Sequence, residues 1–298
     1  MQNVDNTWMT KLWEWADEND IPNYVLPRGK EFLLSLTKLT LGNQSTSQTS
    51  FTSSENNSFY KKGNITCIPK ELGNLINLET LIIHSCANGD LPKEIFNLTN
   101  LTELHIGAIP NVEIPTAVGN LKKLKKFQLT DNNCAHLPIQ LFDLINLTHL
   151  ILCNVNISVF PKELSNLHNL IKVVISDIPL DTMPEGIAYL KNIEDIYFSN
   201  TNITEIDKNI FSLKNLDELF FSNNKIKAIP EEIGQAKTIR FLSLQNNHLS
   251  NLPVEINQLN KLELLDLSEN NFKDELSTVK TLIEAMQNFS NFDLTVRF

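Results

Sequence analysis

The chain repeats itself. Leu78, Leu101, Leu124, Leu147, Leu170, Ile193, Leu216, Ile239 and Leu262 stand 23 residues apart. Each opens a phrase of the form LxxLxLxxN or a variant of it, as in LDELFFSNN (Leu216 to Asn224) and LELLDLSEN (Leu262 to Asn270). With that first residue as place one, an apolar residue recurs at place eleven (Ile226, Leu249, Phe272). A Leu/Ile-Pro pair follows at places fourteen and fifteen, as Leu91-Pro92, Leu137-Pro138, Ile229-Pro230 and Leu252-Pro253. Nine units in one register dictate a stack of equal turns, because one unit of this size cannot bury its own apolar side chains.

Alternating Leu-x-Leu reads as a short strand with one buried face. Apolar residues at places eighteen and twenty-one (Ile95 and Leu98, Leu141 and Leu144, Ile210 and Leu213) fit one helical turn behind it, with the proline fixing φ at the entrance. Leu36, Leu39 and Leu41 suggest an earlier strand. Leu36 precedes Leu78 by 42 residues, 19 more than one period, and the excess falls in the Ser/Thr/Asn-rich stretch 43–63. That stretch reads as an inserted loop, or as one hiding a degenerate strand near Ser58 to Lys61. Trp8, Leu12, Trp15 and Ile21 suit an N-terminal capping helix over 1–35. After the solenoid, 36–276, a C-terminal cap is expected over 277–298, a helix carrying Val279, Leu282, Ile283 and Met286 in continuation of Leu276. A last strand with Phe292, Leu294, Val296 and Phe298 alternating completes it.

These units are the leucine-rich repeat, and they resemble those of bacterial leucine-rich-repeat proteins and of the Ras-suppressor class of scaffolds. The opening WMTKLWEWADENDIPNYVLPRGKEFLLSLTKLTL is similar to the N-terminal cap of the Legionella leucine-rich-repeat effectors. The resemblance implies an α/β solenoid, a horseshoe with a parallel sheet on its concave face and short helical turns on its convex face. It also implies type IV secretion from the bacterial cytoplasm into host cytosol, and a partner that is a host protein or another effector. The ninth place departs from the pattern. It is Asn at 132, 224, 247 and 270, but Cys86, Ile109, Val155, Ile178 and Thr201 elsewhere.

Net charge is −10, which argues against nucleic acid or an anionic membrane surface as partner, and no apolar run approaches bilayer length. The N-terminus lacks the pattern of a Sec signal. Four cysteines without metal-ligand spacing read as reduced thiols. No phosphate-binding glycine loop, zinc-protease helix or nucleophile elbow occurs, so the expectation is a monomeric protein without cofactor or catalysis. Cys153 and His149 on one strand lie ~13 Å apart, too far for a thiolate–imidazole pair. His84, Glu103 and His105 on adjacent strands are the best arrangement for a metal-dependent alternative.

The variable letters carry the function. Places three, five and seven line the exposed strand face. Place five reads Thr40, Ile82, His105, Gln128, Ile151, Val174, Tyr197, Phe220, Ser243, Asp266. Four consecutive strands are thereby expected to present Ile151, Val174, Tyr197 and Phe220 to solvent, a stripe of the kind that binds proteins. Arg240 and Phe241 extend it, and His149 lies beside it. Glu194, Asp195, Asp217 and Glu218 read as a docking patch for basic side chains, a solvated face or a calcium site. Lys125, Lys126 and Lys172 form an end of opposite sign. The expected partner is a host regulator or fellow effector, inhibited or redirected. A recruitment adaptor with a second partner on the N-terminal segment is the alternative.

Overall fold

The computed structural model describes residues 6–42, 65–86, 91–272, 276–289 and 294–297. The chain forms two compact units, Met1–Asn146 and Leu147–Phe298.

The first unit carries four parallel strands in chain order, β1 (Lys38–Leu41), β2 (Thr80–His84), β3 (Glu103–Gly107) and β4 (Lys126–Thr130). Strands occupy places three to seven. Places four and six point inward, and Leu81, Ile83, Leu104, Ile106, Phe127 and Leu129 are fully buried. Each such side chain contributes ~1.5–3 kcal/mol relative to exposure. Lys38 is the direct ladder partner of Thr80, so β1 and β2 are adjacent despite the long connection. The stretch Ser58 to Lys61 falls outside the described residues.

The second unit continues the pattern with β5 (His149–Cys153), β6 (Lys172–Ser176), β7 (Asp195–Ser199), β8 (Glu218–Phe220), β9 (Phe241–Ser243), β10 (Leu264–Asp266) and β11 (Thr295–Arg297). All pair in parallel with their sequence neighbours, from β5·β6 to β10·β11.

Behind the strands the helical turns are 3₁₀, as in Lys93–Asn97, where Ile95 N–H donates to Pro92 O at 3.1 Å. The three-residue spacing of places eighteen and twenty-one matches 3.0 residues per turn. Proline sits one residue before each turn with φ near −65° (Pro92 φ −64°, ψ 134°). Asp207 replaces it once and caps the turn instead, its carboxylate accepting from Asn209 N–H at 3.0 Å.

A recurrent backbone conformation and two side-chain ladders shape each turn and tie it to the next. Place eight is left-handed in every repeat from Ser85 to Glu269. Asp131, Asn154, Asp177, Asn200, Asn223 and Asn246 suit that conformation, whereas Ser85, Ala108 and Glu269 adopt it at a cost. At place nine, Asn247 Nδ2 donates to Phe221 O at 2.8 Å while its Oδ1 accepts from Ile226 N–H at 3.0 Å. Asn270 does the same with Leu244 O and Leu249 N–H. Where place nine is Thr201, the Leu180 N–H turns to Ile178 O at 2.8 Å. The second ladder lies just before place one: Asn77, Asn100, Asn146, Asn192 and Asn215 each donate to the carbonyl of the residue 24 or more positions earlier (Leu34, Ile76, Lys122, His168, Lys191).

At the N-terminus, α1 (Thr7–Glu18) buries Met9, Leu12, Trp15 and Ala16, while Trp8 is half-buried. Trp15 Nε1 donates to Cys67 O at 2.8 Å and Trp13 Nε1 to Pro27 O at 2.9 Å. A short α2 (Lys30–Leu34) follows. At the other end α3 (Leu276–Phe289) buries Val279, Ile283 and Met286, and Leu282 stays half-exposed. Phe292 and Phe298 fall outside the described residues.

Candidate functional site

In the second unit the strand face centres on Tyr197 and Phe220, ladder partners on β7 and β8. Their rings are parallel to within 1°, with centroids 4.7 Å apart. Lys172, from the β6 side, holds its Nζ 4.4 Å from the Tyr197 centroid and pairs with Asp195 at 2.9 Å. The Tyr197 hydroxyl donates to Glu218. Both faces and the polar tip of Tyr197 are therefore engaged within the unit. Burial raises the phenol's pKa above its ordinary value, followed by the Glu218 hydrogen bond and the charges of Glu218, Asp195 and Asp217, so the ring stays a neutral donor. Stacking and cation–π contact are each worth ~0.5–1.5 kcal/mol. The result is a rigid column whose presented surface is Phe220 and the ring edge of Tyr197.

Beside it Arg240 forms a two-point contact with Asp217 (Nε–Oδ1 2.7 Å, Nη2–Oδ2 2.5 Å). Its third nitrogen is 3.6 Å from Glu263, and the guanidinium lies 5.1 Å from the centroid of the Phe241 ring. This planar clamp orients Phe241 at the margin of the column. Ile151 is half-buried on β5, and His149 engages Thr148 Oγ1 through Nδ1 at 2.9 Å.

Three expectations need correction. Val174 does not face solvent: it is 2% exposed, lying between Ile151 and the much larger Tyr197 on its two neighbouring strands. At ~4.8 Å spacing, a large side chain covers a small neighbour on the next strand. In the first unit Ile82 and His105 are likewise buried, each 6% exposed, while Gln128 is half-buried. The acidic patch is also not a bare one. Asp195 is taken by Lys172, Asp217 by Arg240 and Glu218 by Tyr197, whereas Glu194 is exposed without an ion pair among the described residues. Lys172 stands inside the site and does not belong to an opposite-signed end. The signal for these pairs was present in the sequence. Lys172 and Asp195 share place three of successive repeats, and Asp217 and Arg240 share place two, which makes each pair lateral neighbours.

His84 and His105 meet ring to ring in the first unit, but no group of three or more His, Cys, Asp or Glu side chains gathers to hold a metal among the described residues. Cys153 is buried at the far end of β5 from His149. Cys86 is buried as well, and burial pushes its thiol up to about 12.

A leucine-rich-repeat family model matches residues 191–249. No curated protein sequence matches the chain. Among solved structures, a leucine-rich-repeat protein of Leptospira interrogans is 28% identical, with 88% of this chain and 73% of that one covered and a TM-score of 0.57. An internalin of Listeria monocytogenes is 20% identical, covering 89% and 77%, at a TM-score of 0.59. The leucine-rich-repeat domain of the type III effector XopL is 22% identical, covering 72% and 74%, at 0.63. A plant peptide hormone receptor in complex with its peptide is 25% identical at 0.62, the match covering 81% of this chain and 37% of the receptor. With its parallel strands, 3₁₀ turns and asparagine ladders, the chain is an α/β leucine-rich-repeat solenoid of the kind that also occurs in these bacterial proteins.

Proposed function

We propose that the chain is a non-enzymatic protein-binding module that holds its partner on the strand face of the second unit. The observation that carries this reading is the pre-ordered Tyr197–Phe220 column. Its rings are locked before any partner arrives, so binding forfeits little side-chain entropy there. Phe220 and Phe241 supply apolar contact, and Ile151 extends it. Glu194, the exposed one of the four carboxylates, adds a polar margin that favours a partner with an apolar projection flanked by a basic group.

The finer reading is a bacterial effector of the Legionella type, delivered by type IV secretion to host cytosol, where it inhibits or redirects a host regulator or a fellow effector. Bacterial leucine-rich-repeat structures among its neighbours support that setting. The N-terminal adaptor alternative is weakened because Trp13 and Trp15 spend their indole N–H groups inside the unit.

The test is affinity capture from host-cell lysate, with and without co-expressed bacterial effectors, using wild type beside Phe220→Ala and Tyr197→Phe. A partner of this face should bind Phe220→Ala about 2 kcal/mol more weakly, ~30-fold, and Tyr197→Phe within ~5-fold of wild type. A partner held equally by Phe220→Ala would refute the assignment.

A further inference from the structure

The first unit buries two facing imidazoles that the binding face of the second unit does not use. His84 ends β2 and His105 sits at the centre of β3, 3% and 6% exposed. His84 Nε2 lies 3.3 Å from His105 Nδ1, and the rings meet edge to face at 4.2 Å. Gly107 makes the room: a Cβ there would stand 2.4 Å from Nδ1 and Cε1 of the His84 ring. Among the described residues, the outer nitrogens His84 Nδ1 and His105 Nε2 have no hydrogen-bond partner.

Counting protons shows what this arrangement tolerates. Two neutral rings share two protons over four nitrogens: one bridges the facing pair, and the second already sits on one outer nitrogen. A third proton must take the remaining buried outer nitrogen and makes one ring a cation there. A fourth sets two N–H groups against each other at 3.3 Å. Among the described residues, little nearby charge offsets this. β2 has no other titratable side chain, β3 has the half-buried Glu103, and β4 and β1 have the exposed Lys126 and Lys38. The Cys86 thiol stays neutral. Asp131, after β4, attracts a proton to His84 but is outweighed by burial, which holds His84 at about 4. Burial first, and the charge of His84 second, hold His105 at about 3.

We propose that the His84–His105 pair is an acid-sensitive latch, closed when both rings are neutral and opened when protons separate them, loosening β2 and β3. Both folded values lie below the ordinary value near 6.5. The contact is therefore fully stable above pH 6.5 and loses stability as pH falls from there towards 4. At pH 5 each ring that must stay neutral favours the open state ~30-fold, and the pair up to ~10³-fold. In the second unit His149 is half-buried and His168 and His248 are exposed, so its strands serve as an internal reference.

The test is amide hydrogen exchange on the full chain at pH 7.5 and 5.0, corrected for intrinsic rates. Protection of β2 and β3 should fall by one to three orders of magnitude relative to β6 and β7, and should not fall in His84→Leu/His105→Leu. Equal behaviour of the two units, or an equal fall in the double variant, overturns the latch. Should the variant not fold, NMR titration of the wild-type rings decides it: both titrating below pH 5 supports the latch, and either titrating near 6.5 overturns it.

Discussion

Replacing Asn224 by valine places at one position a residue that the chain itself uses at the equivalent position 155. Asn224 is 6% exposed and its amide closes the preceding turn. Nδ2 donates to Phe198 O at 2.7 Å and to Phe221 O at 3.1 Å, while Oδ1 accepts from Ile203 N–H at 3.3 Å and from the Thr201 hydroxyl. Valine leaves the Phe198 carbonyl, the Ile203 N–H and the Thr201 hydroxyl buried without that partner. At ~1–3 kcal/mol per orphaned group, softened because the hydroxyl can rotate, the loss is about 4 kcal/mol. The buried methyls return about 1, for a net cost of about 3 kcal/mol. Guanidinium unfolding followed by far-ultraviolet circular dichroism measures it, provided the slope of the transition is unchanged. Thr201→Val in the same background removes one orphan, so the double variant should recover about 1 kcal/mol. A cost below 1 kcal/mol for Asn224→Val, or strict additivity with Thr201→Val, would mean that the ladder does not hold the turns together.

Ala108 adopts φ 51°, so Ala108→Asn should stabilise the first unit by about 0.5–1 kcal/mol in thermal unfolding. Gly42 has φ +85° and a Cβ there would stand 1.8 Å from His84 O, so Gly42→Ala should cost about 2 kcal/mol or more, which is about 8 °C or more of Tm in a unit this size. Arg28 joins Asp17, Ile21 O and Leu26 O, and Arg28→Ala should lower the transition seen by tryptophan fluorescence by about 2 kcal/mol. All three tryptophans lie near the N-terminus, so that signal reports the first unit alone.

The frame of the fold was legible because it depends on residues whose role is the same in every unit. Places four and six are inward whatever their neighbours, and Leu81, Leu104 and Leu219 obey. The site was legible only in part, because exposure of a strand-face residue depends on the size of the side chain on the adjacent strand. Val174 looked identical in kind to Ile151 in the sequence; Tyr197 beside it decides otherwise. The carboxylates of β7 and β8 group as one patch by their like charge, and that grouping hides Lys172 and Arg240, each 23 residues from its partner on a flanking strand. The place-eight turn was written in the run of Asn and Asp, yet Ala108 and Glu269 show that the conformation persists without them. The asparagine before place one forms a separate ladder whose acceptors lie about a repeat away, so the phrase it stands in does not show its role.

Both asparagine ladders reach backwards. Asn224, Asn247 and Asn270 each complete the repeat that precedes them, and Asn192 and Asn215 do likewise at the other edge. A newly made repeat thus emerges with backbone groups that only its successor can satisfy. Shortening the chain from its C-terminal side strands those groups wherever the removed repeat carried the asparagine, whereas shortening from the other side strands ladder N–H groups such as those of Thr102 and Glu103, which donate to Glu79 O. The two ends of a shortened chain therefore expose different orphans, and a whole unit inserted between existing ones leaves neither kind.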